Sequence, residues 1–321
     1  MTRPALSDRI VAALAADPAP IVVTGGGGWL GQATLDLLDQ ALGSTLPGRV
    51  FVYGSRPRVL PLRSGRSIAC AALPTLAAYA GPPPLLLHYA CLTKDRVAAL
   101  GPAAFLAGNA AIRDTVAALV RRYGARGIFL PSSGAVYGPG RSVEPDPDTN
   151  PYGAAKLLDE ACFAALAAAA GAPLVLARVF NLAGPFINKP EAYALASFLV
   201  ALIANRPVEI RARGRVFRSY LHVGDLLWLA LGALLLAPAT EPVRFDTEGE
   251  VTVEVEALAR RAAALLGRPD APIDRAAPDG RADDVYVGDG SAMRGLARLL
   301  GLPLRDLDTQ IVDTAGWLRD G

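Results

Sequence analysis

The chain predicts an α/β fold, a doubly wound parallel sheet followed by a smaller C-terminal α/β domain. Two observations carry that expectation. Short, continuously apolar runs alternate with longer helical patterns, as strands covered by helices on both faces do. After about Gly184 this rhythm gives way to Pro-bounded helices and isolated short strands. The 321 residues exceed what one core needs, and a 52% hydrophobic content fits a well-buried globular chain. Residues 1–184 are expected to form the larger domain, with 1–19 as a helical prefix. Residues 185–321 mainly form the smaller one, with the chain crossing back to the first.

The elements follow in order. Ile21-Val22-Val23 is a β-branched run that ends in glycines, and Trp29 to Leu42 then takes up helical periodicity. Arg49 to Tyr53 predicts a second strand, Ser67 to Cys70 a weak third, and Leu85 to His88 a fourth. Gly127 to Leu130 predicts a fifth and Pro173 to Arg178 a sixth. Long helices are expected over Pro102–Tyr123 and Tyr152–Ala170, the latter Ala-rich. Val208–Ile210 and Val243–Phe245 are assigned to the smaller domain as short strands.

Composition removes several function classes. The 32 Lys+Arg and 30 Asp+Glu nearly balance, so no global field draws nucleic acid or an anionic membrane. The longest apolar stretch, Leu226 to Ala237, is too short to cross a bilayer. Asp8, Arg9 and Asp17 interrupt the first nineteen residues, which lack a signal-peptide core. Three separated cysteines, Cys70, Cys91 and Cys162, suit neither a disulfide framework nor a metal site; they are expected as small buried hydrophobes in a reducing cytoplasm. With only His88 and His222, zinc patterns are scarce, no metal is expected, and both histidines are read as structural. The run Ser132-Ser133-Gly134-Ala135 is not the Gly-x-Ser-x-Gly turn of a hydrolase.

What remains points to a dinucleotide site. In Thr24-Gly25-Gly26-Gly27-Gly28-Trp29-Leu30-Gly31, glycines at 25, 28 and 31 let the backbone approach a pyrophosphate. The helix opening at Trp29 and Leu30 aims its N-terminus at the same place. At the end of the second strand, Gly54-Ser55-Arg56-Pro57-Arg58 carries no carboxylate for a ribose 2′-hydroxyl. Arg56 can instead pair with a 2′-phosphate while Ser55 donates a hydrogen bond, so NADP(H) is favoured over NAD(H). Tyr152 and Lys156, four residues apart, share one helix face. A free phenol with a pKa near ~10 is a poor acid or base at neutral pH, and a fixed cation beside it favours the phenolate. Ser133 follows the fifth strand at the carboxyl edge of the sheet, where its hydroxyl can bond a substrate oxygen beside Tyr152.

These motifs together resemble the extended short-chain dehydrogenase/reductase family, in its branch of nucleotide-sugar epimerases, dehydratases and ketoreductases. The glycine turn, the Ser132–Gly138 run and Tyr152-x-x-x-Lys156 carry the resemblance. Arg178–Pro185 and Arg218–Asp225 add two further segments in the expected order. The resemblance implies a Rossmann-type fold, Tyr152 as general acid/base, Lys156 on the nicotinamide ribose and Ser133 as the catalytic hydroxyl. It implies that Asn181 and Arg218 contact a nucleotide diphosphate, for which a guanidinium is suited, and that Asn109 is structural. It also implies a homodimer built from the helices at 102–123 and 152–170. Where dehydratases of this branch carry an acidic pair, this chain has Gly134 and Ala135, so 4,6-dehydration is not expected. Ala69-Cys70-Ala71 stands where the family often has an Asp beside the adenine. The expected activity is a nucleotide-sugar 4-ketoreductase, with a 4-epimerase holding NAD tightly as the alternative. A non-sugar carbonyl reductase and a non-catalytic dinucleotide-binding subunit are the remaining readings.

Overall fold

The computed structural model describes residues 5–238, 241–277 and 279–320. The chain divides into two compact units, one of residues 5–178 and 228–245, the other of 179–227 and 246–320. The first boundary falls between Arg178 and Val179.

The larger unit begins with α1 (Asp8–Ala16), capped by Ser7, then β1 (Ile21–Thr24), α2 (Trp29–Leu42) and β2 (Val50–Gly54). There follow β3 (Arg58–Pro61), β4 (Ser67–Ala72), β5 (Leu85–His88), α3 (Val97–Leu100), α4 (Pro102–Tyr123), β6 (Gly127–Ser133), α5 (Pro151–Ala170) and β7 (Leu174–Val179). The six strands read from the sequence all form, within a few residues of their expected ends. β3 was not expected. It is bracketed by Pro57 and Pro61 and forms the outermost strand, antiparallel to β4, a position where proline's missing N–H is tolerated.

The second unit carries β8 (Leu182–Ala183), α6 (Ala194–Ile203), β9 (Val208–Ile210), β10 (Val216–Arg218) and β11 (Leu221–His222). α7 (Val223–Leu236) starts in this unit and ends in the larger one, where β12 (Val243–Asp246) follows. β13 (Val253–Glu254), α8 (Val255–Leu265), β14 (Ile273–Arg275), β15 (Asp284–Tyr286), α9 (Ser291–Leu300) and α10 (Leu307–Asp320) complete the second unit. Its core packs Leu199, Leu202, Leu258, Ala262 and Ile311 together. The expectation for Val243–Phe245 is corrected: this run is β12, an edge strand of the large sheet beside β7, and not part of the smaller domain. Its sequence specifies a strand but not a partner.

The large sheet runs β12-β7-β6-β5-β1-β2-β4-β3. β1 pairs in parallel with β2 and β5, β5 with β6, and β2 with β4. From β1 the chain works outward through β2 and β4, then restarts at β5 on the other flank and continues through β6 and β7. The reversal between β1 and β5 is a topological switch point, and ligands of such sheets bind at the strand carboxyl ends there. Thr24 lies opposite His88 in that register, so the glycine turn and the exit of β5 emerge side by side. Helices α4 and α5 lay Val116, Leu119, Phe163 and Ala167 against Leu86, Ile128 and Leu176 of the sheet. By length and composition α4 could also cross a membrane; it carries Arg113, Asp114, Arg121 and Arg122 and packs on α5.

Candidate active site

The glycine turn has the shape its sequence implies. Gly25 has φ +72°, a left-handed conformation open to glycine without strain, and its carbonyl accepts from the Gly28 N–H at 2.9 Å. A Cβ on Gly31 would lie 2.4 Å from the Gly25 carbonyl oxygen, so only glycine lets α2 come this close to the turn. Gly28 caps α2 without a side-chain hydrogen bond, and no acidic residue sits in the first turn. Its leading N–H groups can therefore accept an anion, and the turn fits a dinucleotide pyrophosphate. Trp29 is buried beneath, and Leu30 is half-buried beside it.

An arginine that the sequence did not single out faces this turn. Arg56 and Ser55 are exposed in the loop after β2. Arg58, in β3, lays its guanidinium over Gly27, at the place a Cβ there would occupy. It also hydrogen-bonds the Cys70 thiol, its cross-strand partner in β4. A cation thus stands on the glycine turn, supplied by a strand that the prolines disguised as a loop.

Tyr152 and Lys156 occupy the first two turns of α5, as their spacing implies. The Lys156 ammonium is buried, donates to the Pro131 carbonyl at 3.2 Å and lies 6.0 Å from the centroid of the Tyr152 ring. Burial opposes its charge, but the Cys91 thiol, the Tyr152 phenol and the Asp159 carboxylate outweigh that and hold its pKa above the ordinary lysine range. A cation this close to the ring favours the phenolate. Pro131 belongs to the strand that ends in Ser133, so the lysine is tied to the chain presenting the serine.

Asn150, which the sequence reading passed over, holds this arrangement together. Its side chain caps α5 by accepting the Gly153 N–H at 3.0 Å and donates to the Ala135 carbonyl at 2.7 Å. The first turn of α5 is thereby fixed to the loop that follows Ser133. An Asn immediately before a Pro-led helix is an N-cap signal that could have identified it. Ser133 Oγ accepts the Ala135 N–H at 3.2 Å.

Both histidines are structural, as expected. His88 is enclosed, shares a hydrogen bond of 2.7 Å with Thr24 Oγ1 and packs on Phe163; burial, aided by the Lys156 charge, lowers its pKa to about 3. His222 is held neutral in the same way, its pKa lowered to about 3 by burial and by Arg305, while its Nδ1 accepts the Gly224 N–H. Asn109 is buried and accepts the Leu92 N–H at 2.9 Å.

Asn181 and Arg218 belong to the second unit, where they meet around Tyr286. Asn181 donates to the Ser219 and Tyr286 carbonyls, both at 3.2 Å. The Arg218 guanidinium lies 5.8 Å from the Tyr286 ring centroid and pairs with Asp284 at 2.8 Å. An incoming diphosphate would compete with that carboxylate. Among the described residues no cluster of His, Cys, Asp and Glu could hold a metal, and Cys70, Cys91 and Cys162 are free thiols. Only Cys70 is fully buried, so the expectation of three buried hydrophobes is corrected for Cys91 and Cys162, which are half-exposed.

Comparison with known proteins is decisive at the level of family: the model of the NAD dependent epimerase/dehydratase family matches residues 21–241. The chain belongs to that family. This epimerase/dehydratase-family enzyme is 30% identical over 237 residues to a UDP-glucose 4-epimerase of Azospirillum brasilense, a stretch covering 67% of this chain and 68% of that one. It is 26% identical over 250 residues to UDP-glucuronic acid decarboxylase 1 of Arabidopsis thaliana, covering 73% of this chain and 55% of the relative. Its fold resembles MoeE5 in complex with UDP-glucose and NAD, with TM-score 0.73 and 21% identity over 94% of this chain and 99% of that one. The UDP-glucose 4-epimerase of Thermotoga maritima with UDP-glucose is similar at TM-score 0.72, 21% identity, and the same 94% and 99% coverage. The Rossmann-type fold and the family expected from the motifs are both borne out.

Proposed function

We propose that this enzyme transfers hydride between a nicotinamide dinucleotide and a carbinol or keto carbon of a nucleotide-linked sugar, as a 4-ketoreductase. The carrying observation is the buried Lys156 ammonium, tied to the Ser133 strand and set beside Tyr152. The glycine turn with the start of α2 would hold the pyrophosphate, and Lys156 the nicotinamide ribose. When bound, the dinucleotide supplies or removes the hydride. Tyr152 gives or takes the hydroxyl proton at the reacting carbon, Lys156 stabilises its phenolate, and Ser133 Oγ hydrogen-bonds the substrate oxygen. Arg218 takes the diphosphate once Asp284 yields, and Asn181, its amide held by the Ser219 and Tyr286 carbonyls, fixes the backbone beside it. Gly134 and Ala135, small and uncharged, supply neither acid nor base for dehydration.

Arg58 on the glycine turn supports NADP(H), since a 2′-phosphate suits a guanidinium there, and a dissociating NADPH suits a reductase. A 4-epimerase retaining NAD is the second reading, favoured by the 30% identity to such an enzyme. A homodimer through α4 and α5 is part of the proposal; Leu158 on α5 stays 53% exposed.

Denaturing freshly purified protein and identifying the released nucleotide by mass spectrometry separates the two. An empty site that binds NADPH more tightly than NADH, followed by NADPH oxidation with a 4-keto nucleotide sugar, is the expected result. Retained NAD, with interconversion of 4-epimers and no net oxidation, would replace the reductase by the epimerase.

A further inference from the structure

We infer that Gly27 is a specificity-determining residue: its missing side chain is the seat from which Arg58 meets the 2′-phosphate of NADP(H). This rests on the reading of Arg58 given above and extends it to the turn itself. The five glycines between Thr24 and Gly31 do not share one reason. A Cβ on Gly25 would lie 2.8 Å from the Ala90 nitrogen, one on Gly26 2.1 Å from Val52 Cγ1, one on Gly28 3.3 Å and one on Gly31 2.4 Å from the Gly25 carbonyl oxygen. Those four are hemmed in by backbone or by the sheet. At Gly27 the three nearest atoms all belong to one guanidinium, with Arg58 Nη2 at 1.3 Å, Cζ at 2.4 Å and Nε at 3.0 Å from the Cβ position.

The backbone at Gly27 does not itself demand glycine. Its φ is not positive, unlike that of Gly25, so an L side chain enters without strain. Its carbonyl accepts from the Gln32 side-chain amide at 3.2 Å, which ties this peptide to α2. A methyl group there would meet only the far end of a flexible side chain. It would push the guanidinium aside and leave the N–H groups of the turn in place.

Strand β3 delivers that guanidinium in register. Side chains alternate along a strand. Leu60 is buried, its Cδ1 3.6 Å from the Cβ position of Gly26, while Val59 is 67% exposed. β3 thus lays Leu60 on Gly26 and Arg58 on Gly27, and its pairing with β4 runs from Arg58 opposite Cys70 to Pro61 opposite Ser67. The Tyr53 carbonyl accepts the N–H groups of Gly25 and Gly26 at 2.7 and 3.3 Å, so the carboxyl end of β2 abuts the same turn. That end is where such folds read the ribose 2′ position. A guanidinium offers paired N–H donors to a phosphate there, and Arg58 is exposed, so a ligand reaches it from solvent. The 2′-hydroxyl of NAD(H) offers it no charge.

The test needs no sugar, so the search for a substrate does not affect it. Isothermal titration calorimetry gives dissociation constants for NADPH and NADH, and for 2′,5′-ADP and 5′-ADP, with the parent, Gly27→Ala, Arg58→Ala and the double variant. Gly27→Ala is expected to weaken NADPH and 2′,5′-ADP about 10-fold or more, with NADH and 5′-ADP within about threefold of the parent. Adding Arg58→Ala to it is expected to cost nothing further, because both changes remove one contact. The inference alone is overturned if Arg58→Ala abolishes the NADPH preference and Gly27→Ala keeps it, if Gly27→Ala weakens both pairs equally, or if the two changes add. A parent that binds NADH as tightly as NADPH overturns the NADP(H) reading and the inference with it. Should Gly27→Ala not fold, the double variant decides. Recovery of the fold on adding Arg58→Ala supports a single place claimed by two side chains, and a double variant that also fails assigns Gly27 to the turn and overturns the inference.

Discussion

The Arg178 guanidinium grips both carboxylate oxygens of Glu160, at 3.0 and 2.7 Å, joining β7 to α5. Glu160 also accepts from Ser132 Oγ at 2.5 Å, and Arg178 donates to the Tyr137 hydroxyl at 2.8 Å. The strand and helix that present Ser133 and Lys156 are thereby cross-tied one residue and one helical turn away from them.

Replacing Glu160 with Gln removes one charge of a largely buried pair and leaves the other with a neutral partner. Destabilisation on the order of 3 kcal/mol is expected from chemical denaturation. Arg178→Met together with Glu160→Leu should cost less than the single change, because no charge is then left unmatched.

Tyr152→Phe keeps the ring against Phe105 but removes the proton carrier. The expected outcome is a 10²- to 10⁴-fold lower kcat, as for loss of a general acid/base, with dinucleotide affinity within a factor of about three of the parent. Steady-state kinetics alongside fluorescence titration with NADPH checks both halves.

Arg58→Ala should weaken NADPH binding about 10- to 100-fold, the worth of a charge-assisted hydrogen bond, while leaving NADH nearly unchanged. Arg56→Ala should do little, since that side chain is exposed in the loop after β2. Equal loss for both cofactors in Arg58→Ala would assign the residue to the fold of the turn instead.

Asp159 gives a pH dependence with a definite sign. Burial, with repulsion from Asp114 and Glu160, outweighs the pull of Lys156 and Arg113 and lifts its pKa from 3.8 to about 6; its Oδ1 has no hydrogen-bond partner. The folded state therefore binds more protons than the unfolded one between about pH 4 and 6, and stability falls as pH rises through that window. Asp159→Asn should match the parent near pH 4 and exceed it at pH 8, by at most about 3 kcal/mol. Thermal melts at the two pH values read this out.

Much of this was legible in the sequence, and the exceptions have physical causes. β1, β2, β4, β5, β6 and β7 announce themselves because buried parallel strands are continuously apolar. Tyr152 and Lys156 share a face because helical spacing is local. β3 was hidden by its prolines, and with it Arg58, whose side chain reaches the glycine turn only once the hairpin has formed. β12 was placed in the wrong domain because a strand's sequence states its conformation and not its neighbour.

That β12 lies beside β7 bears on how the chain is made. Residues 179–227 are built into another unit before α7 and β12 bring the chain home. During synthesis from the N-terminus, the outer edge of β7 stands open until residue 246 has left the ribosome, with its row of backbone donors and acceptors unpaired. A gene fragment ending at residue 184 would keep that edge permanently, and such a fragment is expected to aggregate where the full chain stays dispersed.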